Sequence, residues 1–260
     1  MRKYIYLAMA AIVVSSCGNG VGRTPEGQVN PDNKKEWKLV WEDNFDYKSR
    51  EDLLEVWKSD NQPHTHILCS RWEENVEVGD GVVRLVNRKE NRGGQEWTSA
   101  SLTSYKDFQY GYFECRYKYA AAAGTNNSFW LMTRQNAPAP TEGKRFEIDI
   151  NEGHYPNEVN TNIHNWTDTP HKSAHKAFIY EDTDFSKDFH VLGLEWTAEE
   201  IIFFLDGNEI RRSKNEFSFS PAPVLLSMAV IQWAGEVTDA VDGTYMEVDY
   251  VRVYEAKKGK

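Results

Sequence analysis

The chain has 260 residues, 40% apolar and 13% aromatic, which is ample for one large core without division into two domains. With 40 acids against 30 Lys and Arg, its formal charge of −10 opposes nucleic-acid binding and a general affinity for anionic lipid. It also mildly disfavours a densely sulfated polymer as partner.

Residues 1–17 stand apart from the rest. Arg2 and Lys3 give a positive start, Tyr4 to Val14 an apolar run too short to span and remain as a helix, and Val14-Ser15-Ser16-Cys17 ends in small residues beside a cysteine. This resembles a bacterial lipoprotein signal peptide cleaved before Cys17, whose sulfur receives the lipid; a plain secretory signal is the alternative. On either reading the protein is exported. It is expected to be lipid-anchored to a bacterial membrane, at the outer membrane or cell surface, with periplasmic or secreted protein as the alternative. Losing the two positive charges of Arg2 and Lys3 takes the formal charge from −10 to −12. Residues 18–35, rich in Gly, Asn, Pro and charge with no apolar period, read as a flexible tether.

Residues 36–256 read as one domain. Short alternating or β-branched and aromatic runs are separated by turn signals such as Gly79-Asp80-Gly81, Asn91-Arg92-Gly93-Gly94 and Asp206-Gly207-Asn208. An all-β, two-sheet antiparallel β-sandwich with one sheet curved into a concave substrate groove is expected. The one helical candidate is Ser49 to Lys58, with acids near its start and Leu53, Leu54 and Trp57 at helical spacing. Cys69 and Cys115 are expected either as a disulfide, which an exported compartment permits, or as two buried thiols on neighbouring strands.

Between Phe146 and Glu152 the chain reads Phe-Glu-Ile-Asp-Ile-Asn-Glu. Alternation along a strand puts Glu147 and Asp149 on one face, and one extra residue in a β-bulge brings Glu152 to the same face. Clustered carboxylates repel, and proteins keep them mainly where shifted pKa values serve chemistry. Hydrolysis of a sugar acetal is such a use, since a retaining glycosidase needs one carboxylate nucleophile and one carboxyl acid/base flanking the scissile bond.

The pattern Glu-x-Asp-x-x-Glu resembles the bulged catalytic strand of glycoside hydrolase family 16, which includes laminarinases, agarases, porphyranases and carrageenases. Further motifs carry the resemblance: Trp41-Glu42-Asp43-Asn44-Phe45, Glu74-Asn75-Val76-Glu77-Val78, Tyr110-Gly111-Tyr112-Phe113-Glu114, Ser128-Phe129-Trp130-Leu131, Phe203-Phe204-Leu205-Asp206-Gly207, and Met246 through Tyr254. The resemblance implies a concanavalin A-like jelly roll, with Glu147 as nucleophile, Glu152 as general acid then base, and Asp149 between them. It places His164 near the nucleophile or the subsite −1 sugar, with a satisfied structural histidine as the alternative. Trp130 and Trp233 are implied as cleft walls, each with core packing as the alternative. Arg71, Trp72, Asn75, Glu96 and Trp97 fall where the family reads one side of the polysaccharide. His154 either lines the groove or packs a turn.

No cofactor is required on this reading. The family allows a structural calcium ion on the convex side, and neither His64 with His66 nor His171 with His175 is given a third metal ligand by the sequence. An endo-acting retaining hydrolase of a β-glucan or β-galactan, acting as a monomer, is the leading expectation. A non-catalytic glycan-binding lipoprotein and a transglycosylase are the alternatives. Ser128-Phe129-Trp130-Leu131 and the Asn151 to Pro156 segment depart from common laminarinase wording, which leaves glucan against galactan open.

Overall fold

The computed structural model describes residues 37–257. The signal segment, Cys17 and the tether lie outside them. Two large antiparallel sheets pack face to face. One runs in the order Asn208–Lys214, Glu200–Leu205, His190–Trp196, Gly111–Lys118, Tyr245–Ala256, Val82–Val86, Val76–Gly79, with Trp37–Asp43 also paired to Tyr245–Ala256. The other runs Lys172–Ser173, Glu158–Asn165, Phe146–His154, Thr125–Met132, Ala222–Val230, Ser101–Phe108, Trp57–Ser59, with Lys176–Ile179 also paired to Glu158–Asn165. Non-consecutive neighbours in each sheet, such as Gly111–Lys118 beside Tyr245–Ala256 and Thr125–Met132 beside Ala222–Val230, give the jelly-roll crossings expected for this fold. A small third sheet joins Cys69–Arg71, Gln95–Ser99 and Arg88–Arg92.

Alternation explains the core. Phe113, Cys115 and Tyr117 point inward from one sheet and meet Phe129, Leu131, Ile148, Leu226 and Met228 from the other, all fully buried. Each such aromatic or aliphatic side chain contributes about 1.5–3 kcal/mol by leaving water. The outward surface of the second sheet is left for polar side chains, and these form the site.

Two expectations need correction. The helix is confined to Arg50–Leu54, capped by Ser49, whose Oγ accepts from the Asp52 N–H at 3.2 Å. Trp57 is instead the first residue of an edge strand paired with Ser104, its indole buried and donating to Asp43 Oδ2 at 2.7 Å. A helix this short is marginal alone, and the open sheet edge offers Trp57–Ser59 a better set of backbone partners. Cys69 and Cys115 are both buried free thiols, yet not on neighbouring strands: Cys69 belongs to the small sheet and Cys115 to the first large one. Cys69 Sγ accepts the Val230 N–H at 3.3 Å.

Candidate active site

The acidic strand Phe146–His154 lies between Thr125–Met132 and Glu158–Asn165. Glu147 pairs with His164 and Asp149 with Asn162, but the next partner of Glu158–Asn165 is Glu152 on Asn160, so one extra residue is absorbed there. On the other side Asn151 pairs with Phe129 and Asp149 with Trp130, which places the same irregularity around Ile150. Ile150 and Asn151 therefore both turn inward. Ile150 joins the core, while the Asn151 amide donates to the hydroxyls of Tyr117 and Tyr119, both at 2.6 Å. Those hydroxyls pass donors to the Asn127 and Glu158 carbonyls at 3.4 and 3.3 Å, so the buried polar chain is satisfied. Gly153, next inward, carries no Cβ because the Tyr119 ring occupies that space. The bulge returns Glu152 to the face of Glu147 and Asp149, as the motif requires.

Each acid has its own surroundings. Glu147 Oε2 accepts the Trp166 indole N–H at 3.0 Å, and its Oε1 lies 3.8 Å from His164 Nε2. Asp149 is nearly covered, with Oδ2 3.1 Å from His164 Nε2. Glu152 Oε1 accepts from the Asn126 amide at 2.8 Å. Burial, followed by the Asp149 charge, pushes Glu147 up to about 8, against the pull of His164 and Trp166. Burial and then the Glu152 charge raise Asp149 strongly. Burial and mutual repulsion therefore both work against ionising all three acids together.

Of the residues singled out in the sequence, Trp130 and His164 flank Asp149 on the two adjoining strands. Trp130 is half-buried and its indole donates to Ser227 Oγ at 3.1 Å. From there polar residues continue across the sheet: Ser227 pairs with Ser101, whose hydroxyl donates to Asp60 Oδ2 at 3.0 Å. Asp60 lies 4.0 Å from Arg71 Nη1, and Arg71 Nε is buried with no protein partner. His154 shares the face of Glu152 and is buried against Asn160, 3.3 Å from its Nδ1, with Nε2 unpartnered. It also pairs with Glu158 across the Tyr155–Asn157 turn, with Nδ1 3.7 Å from Glu158 Oε2, so it packs the turn on the face that carries Glu152.

The remaining residues stand apart from the acids in the hydrogen-bond network. Trp72 donates to Ser70 Oγ at 2.7 Å and carries the Arg92 guanidinium 3.9 Å from its ring centre. Glu96 is exposed and pairs with Lys89 at 3.2 Å, whereas Trp97 is buried in a second apolar cluster with Cys69. Trp233 projects from a 3-10 turn and is 63% exposed, so it does not pack in the core. Asn75 corrects the expectation: it is fully buried, with its amide donating to Val86 O and Thr98 Oγ1, both at 2.9 Å. It ties strands together and offers no surface to a sugar. A cavity of about 480 Å³ lies near Ile67, Lys89, Trp97, Gln232 and Asp239, and none of the three clustered acids lines it. The acids occupy an open face, and their chemistry rather than cavity size identifies the site.

Asn126, Trp166 and Asp60 were not anticipated from sequence, and His171 was weighed only as a metal ligand with His175. Each is brought in by strand pairing or by a loop closure that no local pattern encodes. Among the described residues, the one cluster of three or more acids and histidines with metal-like spacing is Glu147, Asp149 and His164, whose candidate donor atoms lie within 4.8 Å of one another. It coincides with the acidic strand. The histidine pairs considered as ligands are used otherwise: His64 Nε2 lies 3.4 Å from Asp60, and His175 Nε2 lies 2.9 Å from Asn160 Oδ1.

Comparison with known proteins agrees with this geometry. The model of glycosyl hydrolases family 16 matches residues 63–252. A beta-glucanase of Rhodothermus marinus is 31% identical over 264 residues, covering 90% of this chain and 91% of that protein. The endo-1,3-1,4-beta-glycanase EglC of Rhizobium meliloti is 31% identical over 189 residues, 68% of this chain but only 39% of its own length. Among solved structures, the endo-1,3-beta-glucanase (laminarinase) catalytic domain of Thermotoga petrophila superposes with a TM-score of 0.71 at 25% identity, covering 86% of this chain and all of that one (100%). The endo-beta-1,3-glucanase of Pyrococcus furiosus gives 0.72 at 25% identity, covering 86% and 97%. The chain belongs to glycosyl hydrolases family 16 and is an endo-acting glycosidase that hydrolyses O-glycosyl bonds of a polysaccharide.

Proposed function

We propose that the enzyme is a retaining endo-β-glucanase that cuts internal β-1,3 bonds, with Glu147 as nucleophile and Glu152 as acid/base. The observation that carries this reading is the bulge between Asp149 and Glu152, which sets two differently solvated glutamates on one open face with an aspartate between them. Glu152, held by the Asn126 amide, protonates the departing glycosidic oxygen while Glu147 attacks the anomeric carbon. For that attack Glu147 must be the ionised member of the pair, with any proton on Asp149. The His164 and Trp166 contacts favour this by stabilising charge on Glu147. Water deprotonated by Glu152 then releases the sugar with its configuration kept.

The glucan assignment is supported by the beta-glucanase and laminarinase names of the relatives. We further infer that the protein acts as an exported, lipid-anchored monomer, from the Arg2, Lys3 and Cys17 pattern and from the self-contained sandwich. Incubation with laminarin, mixed-linkage glucan, agarose, porphyran, carrageenan and mucin glycans, with mass analysis of products, tests the substrate. Oligosaccharides of several lengths from laminarin are expected early. Products from a galactan alone would overturn the glucan assignment.

A further inference from the structure

The loop that joins Glu158–Asn165 to Lys172–Ser173 returns on itself so that Asn165 pairs with Lys172 and His164 with Ser173. Extending that register sets Trp166 opposite His171. The loop is fastened by Asn165 Oδ1, which accepts the Thr167 and Asp168 N–H groups at 3.0 and 3.2 Å, and by Asp168, which bridges Lys144 and Lys172 at 3.1 and 3.4 Å. Its consequence is a stack of three rings beside the nucleophile. Trp166 and His171 lie 4.1 Å apart and 14° from parallel, and His164 lies 5.3 Å from Trp166 and 5.0 Å from His171.

Within that stack, His164 Nδ1 and His171 Nε2 are 2.9 Å apart. A hydrogen bond between two neutral imidazole nitrogens needs one N–H and one lone pair, so it locks the tautomers of both rings together. The other end of His164 selects between the two arrangements. Its Nε2 faces two carboxyl oxygens, Asp149 Oδ2 at 3.1 Å and Glu147 Oε1 at 3.8 Å. Two carboxyl oxygens with free lone pairs call for a donor at Nε2. Nδ1 is then bare, and His171 must supply the N–H.

We propose that His171 is a positioning residue that fixes His164 as the Nε2-protonated tautomer, so that its N–H is aimed at Asp149 and Glu147 when Glu147 must carry charge. His171 does not touch the substrate in this role. It acts on the nucleophile through His164, as an outer partner fixes a metal-binding histidine. The same ring supports Trp166, whose indole holds the other oxygen of Glu147. The catalytic part of the inference rests on Glu147 as nucleophile; the tautomer does not.

Two substitutions separate donor from stack. His171→Phe keeps a flat ring against Trp166 and removes the N–H, whereas His171→Gln loses the aromatic ring and keeps a donor amide. In histidine-labelled, chelator-treated full-length protein, two-bond ¹H–¹⁵N spectra should show His164 as the Nε2–H tautomer in wild type and His171→Gln, with that single tautomer lost in His171→Phe. With laminarin, His171→Phe should lower kcat about tenfold with KM within about twofold, and His171→Gln should restore most of the loss. A His171→Phe protein that keeps the Nε2–H tautomer overturns the proposal, and so does one that keeps wild-type kcat. If covalent trapping places the nucleophile elsewhere while the tautomer still depends on His171, the assignment of Glu147 fails and the ring-to-ring coupling stands.

Discussion

At Glu147, burial favours the protonated carboxyl while the Trp166 indole and the His164 ring favour the carboxylate. The balance leaves it raised to about 8, well above the ordinary value of 4.5. A raised folded-state value means that the folded protein binds the proton more tightly than the unfolded chain. The stability this contributes is fully present below about pH 4.5 and is lost as pH rises toward 8. Glu147→Gln removes the titration, so its melting temperature relative to wild type should rise between pH 4.5 and 8, by a few degrees for about 1 kcal/mol or more. A constant difference across that range in paired thermal melts would contradict the assignment of the shift. In turnover, Glu147→Gln and Glu152→Gln should each lower kcat by at least about 10²-fold while oligosaccharide affinity by calorimetry stays close to wild type. Near-normal rates in either variant would remove that residue from the mechanism. The shared face of the three acids was legible because their spacing along one strand carries the information, whereas His164 was pointed to by the family resemblance. Asn126, Trp166 and His171 were not legible at the site, since their places depend on which strands adjoin and how one loop closes.

The bulge is the element on which the site depends, and a polar residue facing the core holds it. Asn151 spends both amide hydrogens on Tyr117 and Tyr119, and its Oδ1 accepts the Asn160 N–H at 3.2 Å. Asn151→Leu strands those partners in an apolar interior, at a cost of about 1–3 kcal/mol for each group left unsatisfied. It also removes the tie that keeps two consecutive residues turned inward. Chemical denaturation should show the stability loss, and kcat should fall although Asn151 touches no substrate. A variant with wild-type stability and kcat would show that the bulge persists without this anchor. The need for a bulge could be read from the odd spacing of Glu147 and Glu152, but its anchor could not, because Tyr117 and Tyr119 come from the facing sheet and a connecting segment. The same limit explains the helix placed too far along the chain. Leu53, Leu54 and Trp57 fit a helical period, yet Trp57 is claimed by Asp43 and by the edge of a sheet formed much later in sequence.

For the molecule as a whole, alternation and turn signals marked an all-β sandwich, while the order of strands in its two sheets followed only from family resemblance. Periodicity states which side of a strand is buried and says nothing of which strand lies beside it. Asn75 illustrates the difference: a polar residue in a recognised motif read as a sugar contact, and folding turned it into a tie between Val86 and Thr98. Net negative charge fits the proposed glucan, a neutral polymer that requires no electrostatic steering. The proposed export and anchoring rest on the leader pattern of Arg2, Lys3 and Cys17. Expression with labelled palmitate in a bacterial host should place label and protein in the membrane fraction, and Cys17→Ser should lose both. Unlabelled wild-type protein in the soluble fraction would overturn the lipoprotein assignment.

The identity of the covalently attacking carboxylate is open to direct measurement. A 2-deoxy-2-fluoro laminari-oligosaccharide with a good leaving group should inactivate the enzyme by accumulating a glycosyl ester, and peptide mapping should find the added mass on Glu147. Attachment to Glu152 would reverse the two roles, and unmodified protein accompanied by products of inverted configuration would contradict the retaining mechanism itself.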